Sequence, residues 1–280
     1  REFKLYLNKK FNGCFMILTH DLSRLFIIFI ILIFSVNSQS ETISLDEQLT
    51  SINPLSKMRY IEDTEHSLNS QSILSLDAKH WQSIPNNSTN FGFSDSAFWL
   101  SFSLHNKSTK PQELYIHLDY ALLDDIRLYQ VDSNKISQEY AFGDRLPFAE
   151  RAVNFPTFLF PVTINPSTTS DIFIRIETSG TVQAPVTIWN KDHFLLNSQS
   201  FLFLYGCFLS AMLIMSAYHF CLFLTIRDKN YLLYSVFIFL ATGVHSSLDG
   251  FAYQWFWPNL PDWHQISAVF FIASGCFVTI

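Results

Sequence analysis

Cysteine is scarce in this 280-residue sequence. There are four, Cys14, Cys207, Cys221 and Cys276, and none lies between Glu41 and Ser198. That long middle region therefore has no disulfide framework, whatever compartment it occupies. Cys207, Cys221 and Cys276 sit inside apolar runs and read as small hydrophobes. Positive charge is also short. Residues 41–198 hold 19 Asp+Glu against 11 Lys+Arg, a net of about −8 inside an overall formal charge of −6. Nucleic-acid binding needs a basic footprint, so nucleic acid is excluded as a partner. Catalytic signatures are missing as well: the chain has no G-x-S-x-G, H-E-x-x-H, P-loop or C-x-x-C. The nine His are scattered. His117 and Asp119 are two apart and share a strand face, but a metal site needs more ligands than that. Asp124 and Asp125 are adjacent, so a strand sends them to opposite faces and they make no acid/base couple. No catalytic residue, metal or cofactor is expected within these residues.

Apolar residues are abundant: 49% of the chain, with 29 Phe and a mean hydropathy of +0.17. They fall in three zones. The first is "LFIIFIILIFSV", residues 25–36. It is short of the ~20 residues a span needs and suits the apolar stretch of a signal peptide. Lys9, Lys10 and Arg24 precede it and "SVNSQSE" follows, with cleavage after Ser38 or Ser40. Met16 opens a complete signal peptide, and residues 1–15 then read as an upstream extension. Residues 1–40 are assigned accordingly, an uncleaved anchor being the alternative.

Residues 41–198 form the second zone. Period-two alternation marks strands at 98–106, 113–119, 125–131, 155–164, 171–178 and 185–189. Turn-rich stretches such as "NKSTKP" and "INPSTTSD" separate them. Short antiparallel strands at this spacing predict an all-β, jelly-roll-like sandwich. "SLDEQLTSI" reads as a short helix or an edge strand.

The third zone, residues 199–280, reads as α-helical and transmembrane. Phe201 to Ile226 runs 26 residues without an acid, Lys or Arg. Residues 231–248 make a second span, and residues 264–280 begin a third that the chain does not complete. "RDKN" (227–230) joins the first two as a helical hairpin. The loop 249–263, crowded with Trp, Tyr and Pro, contains no Lys or Arg. The positive-inside rule puts "RDKN" in the cytoplasm, and hence residues 41–198 and the Trp-rich loop outside. The signal peptide predicts the same orientation. About a dozen residues, from Trp189 to Phe201, connect sandwich to span.

Several stretches carry a family resemblance: "FGFSDSAFWLSFSLHN", "LDYALLDDIRLYQV", "FGDRLPFAERAVNFPTFLFPV", "DIFIRIETSGTVQAPVTIW", and then "YGCFLSAMLIMSAYHFCLFLTIRDKNYLLY" and "DGFAYQWFWP". In this order the chain resembles the bacterial seven-transmembrane receptors with diverse intracellular signalling modules, over roughly residues 75–280. The resemblance implies a periplasmic sensor domain of the second type, binding carbohydrate or a related small ligand, on a multi-pass protein of the bacterial inner membrane. It also implies a cytoplasmic output such as a histidine kinase or diguanylate cyclase, which would lie beyond Ile280. The alternative is a membrane-tethered ligand- or partner-binding module without its own output. A surface enzyme is disfavoured because no acid/base pair converges. The partners expected are a small molecule and the lipid bilayer, with a homodimer left open.

Candidate ligand residues gather in "FGDRLPFAER" (142–151). Asp144, Arg145 and Arg151 offer the guanidinium and carboxylate chemistry a sugar or carboxylate needs, and Tyr129 or Trp99 an aromatic face. The resemblance places the family's recurring Gly-Asp and later Arg at Gly143, Asp144 and Arg151. The competing assignment is a structural Arg–Asp clamp pinning the loop to the sandwich. In the apolar zone His219, His245 and Asp249 are the polar groups to account for. Gly206 and Ser210 form a small-x-x-x-small pair suited to close helix contact.

Overall fold

The computed structural model of the chain describes residues 42–279. The signal peptide assigned to residues 1–40 lies outside the described residues. The first elements are β1 (Ile43–Leu45), β2 (Ser51–Ile52), β3 (Arg59–Asp63), α1 (Ser70–Leu74), β4 (Gln82–Ser83) and β5 (Asn90–Phe93). The long strands follow: β6 (Ala97–Asn106), β7 (Gln112–Leu118), β8 (Asp125–Asp132), β9 (Lys135–Phe142), β10 (Phe158–Ile164) and β11 (Thr169–Glu177). β12 (Thr181–Gln183) and β13 (Val186–Asn190) close the β region. Then come α2 (Lys191–Ile226), α3 (Lys229–Leu248), α4 (Phe251–Trp255) and α5 (Pro261–Thr279).

Two sheets face each other. One runs β4-β3-β6-β11-β8-β9, with β1 joining β6 in parallel. The other runs β10-β7-β13-β2, and a small ribbon pairs β12 with β5. Every pairing except β1–β6 is antiparallel. The alternation read from the sequence is what fills the space between the sheets. Leu100, Phe102 and Leu104 meet Ile126, Leu128, Ile172 and Ile174 from one side and Ile116, Leu118, Phe160 and Ile188 from the other. The sandwich and the apolar helices behind it are the architecture that the sequence predicts.

Differences in detail have physical causes. β9 carries no strand signal because "KISQEYAF" is an edge strand, exposed along most of its length, so no buried face imposes alternation. Of the two readings of "SLDEQLTSI" (44–52) the strand is the one formed, at its two ends, in β1 and β2. β10 begins at Phe158 rather than at residue 155, because the carbonyls of Phe155 and Pro156 accept from the Arg151 guanidinium instead of a ladder.

The connector to the first span is not a loop. Asn190 ends β13 and is also the N-cap of α2, its side chain accepting from the amides of Asp192 and His193. α2 then runs 36 residues without a break, on the order of 54 Å at the usual rise. Its first turns lie on the sandwich, with Phe194 and Ser198 buried. It ends at Arg227, a left-handed C-cap at φ 63°, and Asp228 caps α3 immediately. The hairpin turn thus shrinks to two residues. α2 and α3 are long and apolar enough to cross a membrane.

Helix contact is made elsewhere than Gly206 and Ser210. A Cβ on Gly206 would meet nothing within 4 Å, and Ser210 is exposed. Instead Ser216 and Ser235 exchange hydrogen bonds between α2 and α3, at 2.9 and 2.7 Å. Gly243 of α3 lies so close to Phe271 of α5 that a Cβ would come within 2.7 Å of the ring.

Candidate functional site

The four-stranded sheet puts alternate residues of β7 on opposite sides. Leu114, Ile116 and Leu118 enter the core, so Tyr115 and His117 point outward, where Phe155, Leu159 and Phe194 cover them. Phe194 belongs to the first turns of α2. A cavity of about 440 Å³ opens at this seam between sandwich and helices. Its sandwich wall is formed by His117, Asp119, Tyr120, Phe155 and Trp189, and its helix wall by Phe194, Phe201, Asp249 and Phe251. The volume and the largely apolar, aromatic-bearing lining are those of a small-molecule pocket.

Several of the polar groups of the cavity are held in place. His117 Nε2 lies 2.8 Å from Thr157 Oγ1 and 3.5 Å from Asp119 Oδ1. Burial lowers the His117 pKa, with the Asp119 carboxylate acting in the opposite sense, so the imidazole is neutral at neutral pH. On the helix wall, the Tyr205 hydroxyl donates to Asp249 and to the carbonyl of His245, 3.1 Å away. The Tyr205 ring stacks on Phe251 at 4.4 Å.

Beside the cavity, the loop between β9 and β10 locks onto α4 and α5. Gly143 fits only because it has no Cβ, which would sit 1.9 Å from the Asp124 carbonyl oxygen. Arg151 is buried. It donates to the carbonyls of Phe155 (3.2 Å) and Pro156 (2.7 Å), and its guanidinium lies 4.5 Å from the Phe148 ring, 4.3 Å from Phe158 and 5.8 Å from Tyr253. These faces offset part of the cost of burying a cation. Burial brings the Arg151 pKa down to about 10, which leaves it charged at neutral pH.

Asp144 is buried near Arg151. Its pKa rises to about 6, first through burial and then through the Asp124 carboxylate, against the hydrogen bond from Gln265 and the charge of Arg151. Three further bonds cross from loop to helices. Tyr253 Oη donates to Leu146 O at 2.6 Å, the Phe148 amide to Pro258 O at 2.9 Å, and Gln254 Nε2 to Asn154 Oδ1 at 2.7 Å. Gly250, at φ +78°, lets the chain pass over Pro156, whose carbonyl oxygen would lie 2.4 Å from a Cβ. His264 of α5 stacks flat on Tyr253 at 4.2 Å.

The residues singled out from the sequence therefore divide. Arg151 and Asp144 come together at the junction. Arg145 turns outward and pairs with Asp124 at 2.6 Å, which also accepts from the Ser179 amide and hydroxyl. Trp99 and Tyr129 meet each other, at 5.9 Å between rings, on the outer face of the other sheet under α1. The rings that face the Arg151 guanidinium are Phe148, Phe158 and Tyr253, so Trp99 and Tyr129 offer no aromatic face to it.

Asp249 lines the cavity. His219 lies on α2 against Tyr234 of α3, with Nδ1 2.8 Å from Met215 O, and His245 packs edge-on to Phe208. Sequence reasoning missed Phe155, Phe194 and Trp189 as a group. The His117/Asp119 spacing was the one available signal, and only the fold adds Asp249 to it. No cluster of three or more His, Cys, Asp or Glu suited to a metal occurs among the described residues.

A sandwich seated on apolar helices, with a buried polar lock and a cavity at the seam, defines a membrane protein with a folded domain outside. Residues 55–190 match the family described as 7TMR-DISM extracellular 2, and residues 201–280 match 7TM diverse intracellular signalling. The chain belongs to the seven-transmembrane receptors with diverse intracellular signalling modules. No curated protein matches it significantly.

Among solved structures, TmCBM61 in complex with β-1,4-galactotriose is 10% identical, with 49% of this chain and 90% of that one covered and a TM-score of 0.27. Ruminococcus gnavus β-glucuronidase is 12% identical, with 54% and 30% covered and a TM-score of 0.32. A family 35 carbohydrate binding module from Clostridium thermocellum is 6% identical, with 50% and 97% covered and a TM-score of 0.24.

Proposed function

We propose that the chain is the sensing and membrane-entering part of a signalling receptor of the bacterial inner membrane. Residues 41–198 form its periplasmic sensor for a small ligand, carbohydrate being one class, and residues 199–280 supply its first three spans. A signal peptide precedes them, and the cytoplasmic output belongs to residues beyond this chain. The observation that carries the reading is the double attachment of sandwich to helices. β13 runs into α2 through one capping residue, and the loop that carries Arg151 bonds to α4 through Leu146 and Asn154 and to α5 through Asp144 and Gln265. A ligand that moves the sandwich thereby moves helix ends, which is the differential contact a signalling equilibrium requires.

The test is hydrogen exchange on the chain in lipid nanodiscs, with and without a panel of small ligands that includes galacto-oligosaccharides. The expected result is a ligand that alters exchange in Phe251–Trp255 together with the sandwich. Changes confined to the sandwich for every ligand that binds would overturn the reading.

A further inference from the structure

We infer that the cavity at the sandwich–helix seam takes an organic cation, an ammonium group carried on an apolar body, held between the Asp119 and Asp249 carboxylates and a surround of aromatic rings. This inference deepens the receptor reading and rests on it for the meaning of binding, though not for binding itself.

Charge comes first. The lining contains two carboxylates, one on each wall, and no Lys or Arg. The two cations nearest in the chain are both engaged elsewhere. Arg151 lies beyond the Phe155–Pro156 backbone and donates into those carbonyls, away from the lining. Lys191 pairs with Glu113 at 2.5 Å, outside the cavity. An anion brought into this space would face two carboxylates with no basic partner.

The rings come second. Phe155, Phe194, Trp189, Phe201 and Phe251 are contributed by β13, the β9–β10 loop, α2 and α4, so they surround the space rather than line one side. Aromatic faces attract a cation through their quadrupole, and the half-open cavity leaves the Asp119 and Asp249 carboxylates accessible from solvent. Phe155 and Phe194 are themselves locked edge-to-face at 5.2 Å, and Trp189 meets Phe194 at 6.0 Å. Asp249 is fixed by Tyr205. The site is thus preorganised on both walls, which limits the ordering cost of binding.

Ammonium groups come from two sources at this height, a free amine outside the membrane or the headgroup of a zwitterionic lipid. The probe is benzyltrimethylammonium, titrated by calorimetry into the chain in nanodiscs of phosphatidylglycerol alone. Its carbon isostere, neopentylbenzene, serves as the uncharged control. The cation is expected to bind at least ~10-fold more tightly than the isostere. Asp119→Asn and Asp249→Asn, which keep an acceptor oxygen, should each weaken it several-fold.

Adding phosphatidylethanolamine to the nanodiscs separates the sources. Competition assigns the cavity to a lipid headgroup, and unchanged affinity assigns it to a free amine. Equal binding of cation and isostere, no binding of the cation, or indifference to both Asp→Asn changes overturns the inference. If the cation fails while a sugar alters exchange in Phe251–Trp255, the ligand class falls and the receptor reading stands. If the cation binds without altering that exchange, the ligand class stands and the receptor reading loses its support from this site.

Discussion

The seven-stranded sheet closes its outer face with material from its own neighbourhood. Trp99 and Tyr129 lie under Ile73 of α1, and Trp81 and Phe173 pack at the border. The four-stranded sheet presents Tyr115 and His117 to Phe194, on a helix that continues into the apolar zone, and the adjacent loop buries Arg151 and Asp144 against α4 and α5. The first cover is mostly apolar and local. The second is polar and distant in sequence: Leu146, Phe148 and Asn154 of the loop bond to Tyr253, Pro258 and Gln254. A cap of the first kind stabilises one sheet. A junction of the second kind also holds the sandwich in register with the helices.

That contrast can be broken from the largest effect downward. Trp99→Ala should remove about 3–5 kcal/mol from sandwich stability by opening a cavity in the cap. Calorimetry on the full chain reads the loss, and exchange in Phe251–Trp255 should be unchanged at temperatures where the sandwich is folded. Altered exchange there would erase the distinction between the two faces. Arg151→Met should cost on the order of 3 kcal/mol, because it leaves the Phe155 and Pro156 carbonyls and Asp144 without the cation. Unlike Trp99→Ala, it should accelerate exchange in α4.

Asp144 sharpens the comparison through pH. Its pKa in the folded chain, about 6, lies above the ordinary aspartate value. The folded state therefore binds more protons than the unfolded state between about 4 and about 6. Stability should fall as pH rises through that window, by an amount on the order of 2–3 kcal/mol, and then level off. Asp144→Asn should flatten this part of the curve, as a denaturation series across pH would show.

Gly250→Ala should cost about 1–2 kcal/mol through its positive φ and the approach to Pro156. The readout is again exchange at Phe251–Trp255. Ser216→Ala, within the helix pair, should cost only about 0.6 kcal/mol and leave the junction as it is.

The sandwich was legible in the sequence because its core residues alternate. β6, β8 and β11 could be read directly, and β9 could not, since an exposed edge strand has nothing to alternate against. The helical hairpin was legible from "RDKN" and the apolar runs flanking it. The junction was legible only in pieces. Arg151, Asp144 and Asp249 stand out as single residues, but their company comes from Tyr253, Gln265 and Phe194, which sequence distance hides. Trp99 and Tyr129 drew attention as aromatics of the right type. Strand alternation sends them to the far side of the sandwich, a consequence of register that composition does not reveal.

The most direct test of the central claim, that sandwich and outer helix ends move as one body through the Arg151 loop, is a distance distribution. Spin labels at Ser137 on the exposed edge strand and at Tyr231 on α3 would be measured by pulsed electron resonance in nanodiscs, on a chain with its cysteines replaced. One narrow distribution is expected, which broadens when Arg151→Met is introduced and stays narrow with Ser216→Ala. A distribution already broad in the parent chain, or one that Arg151→Met leaves narrow, would contradict it.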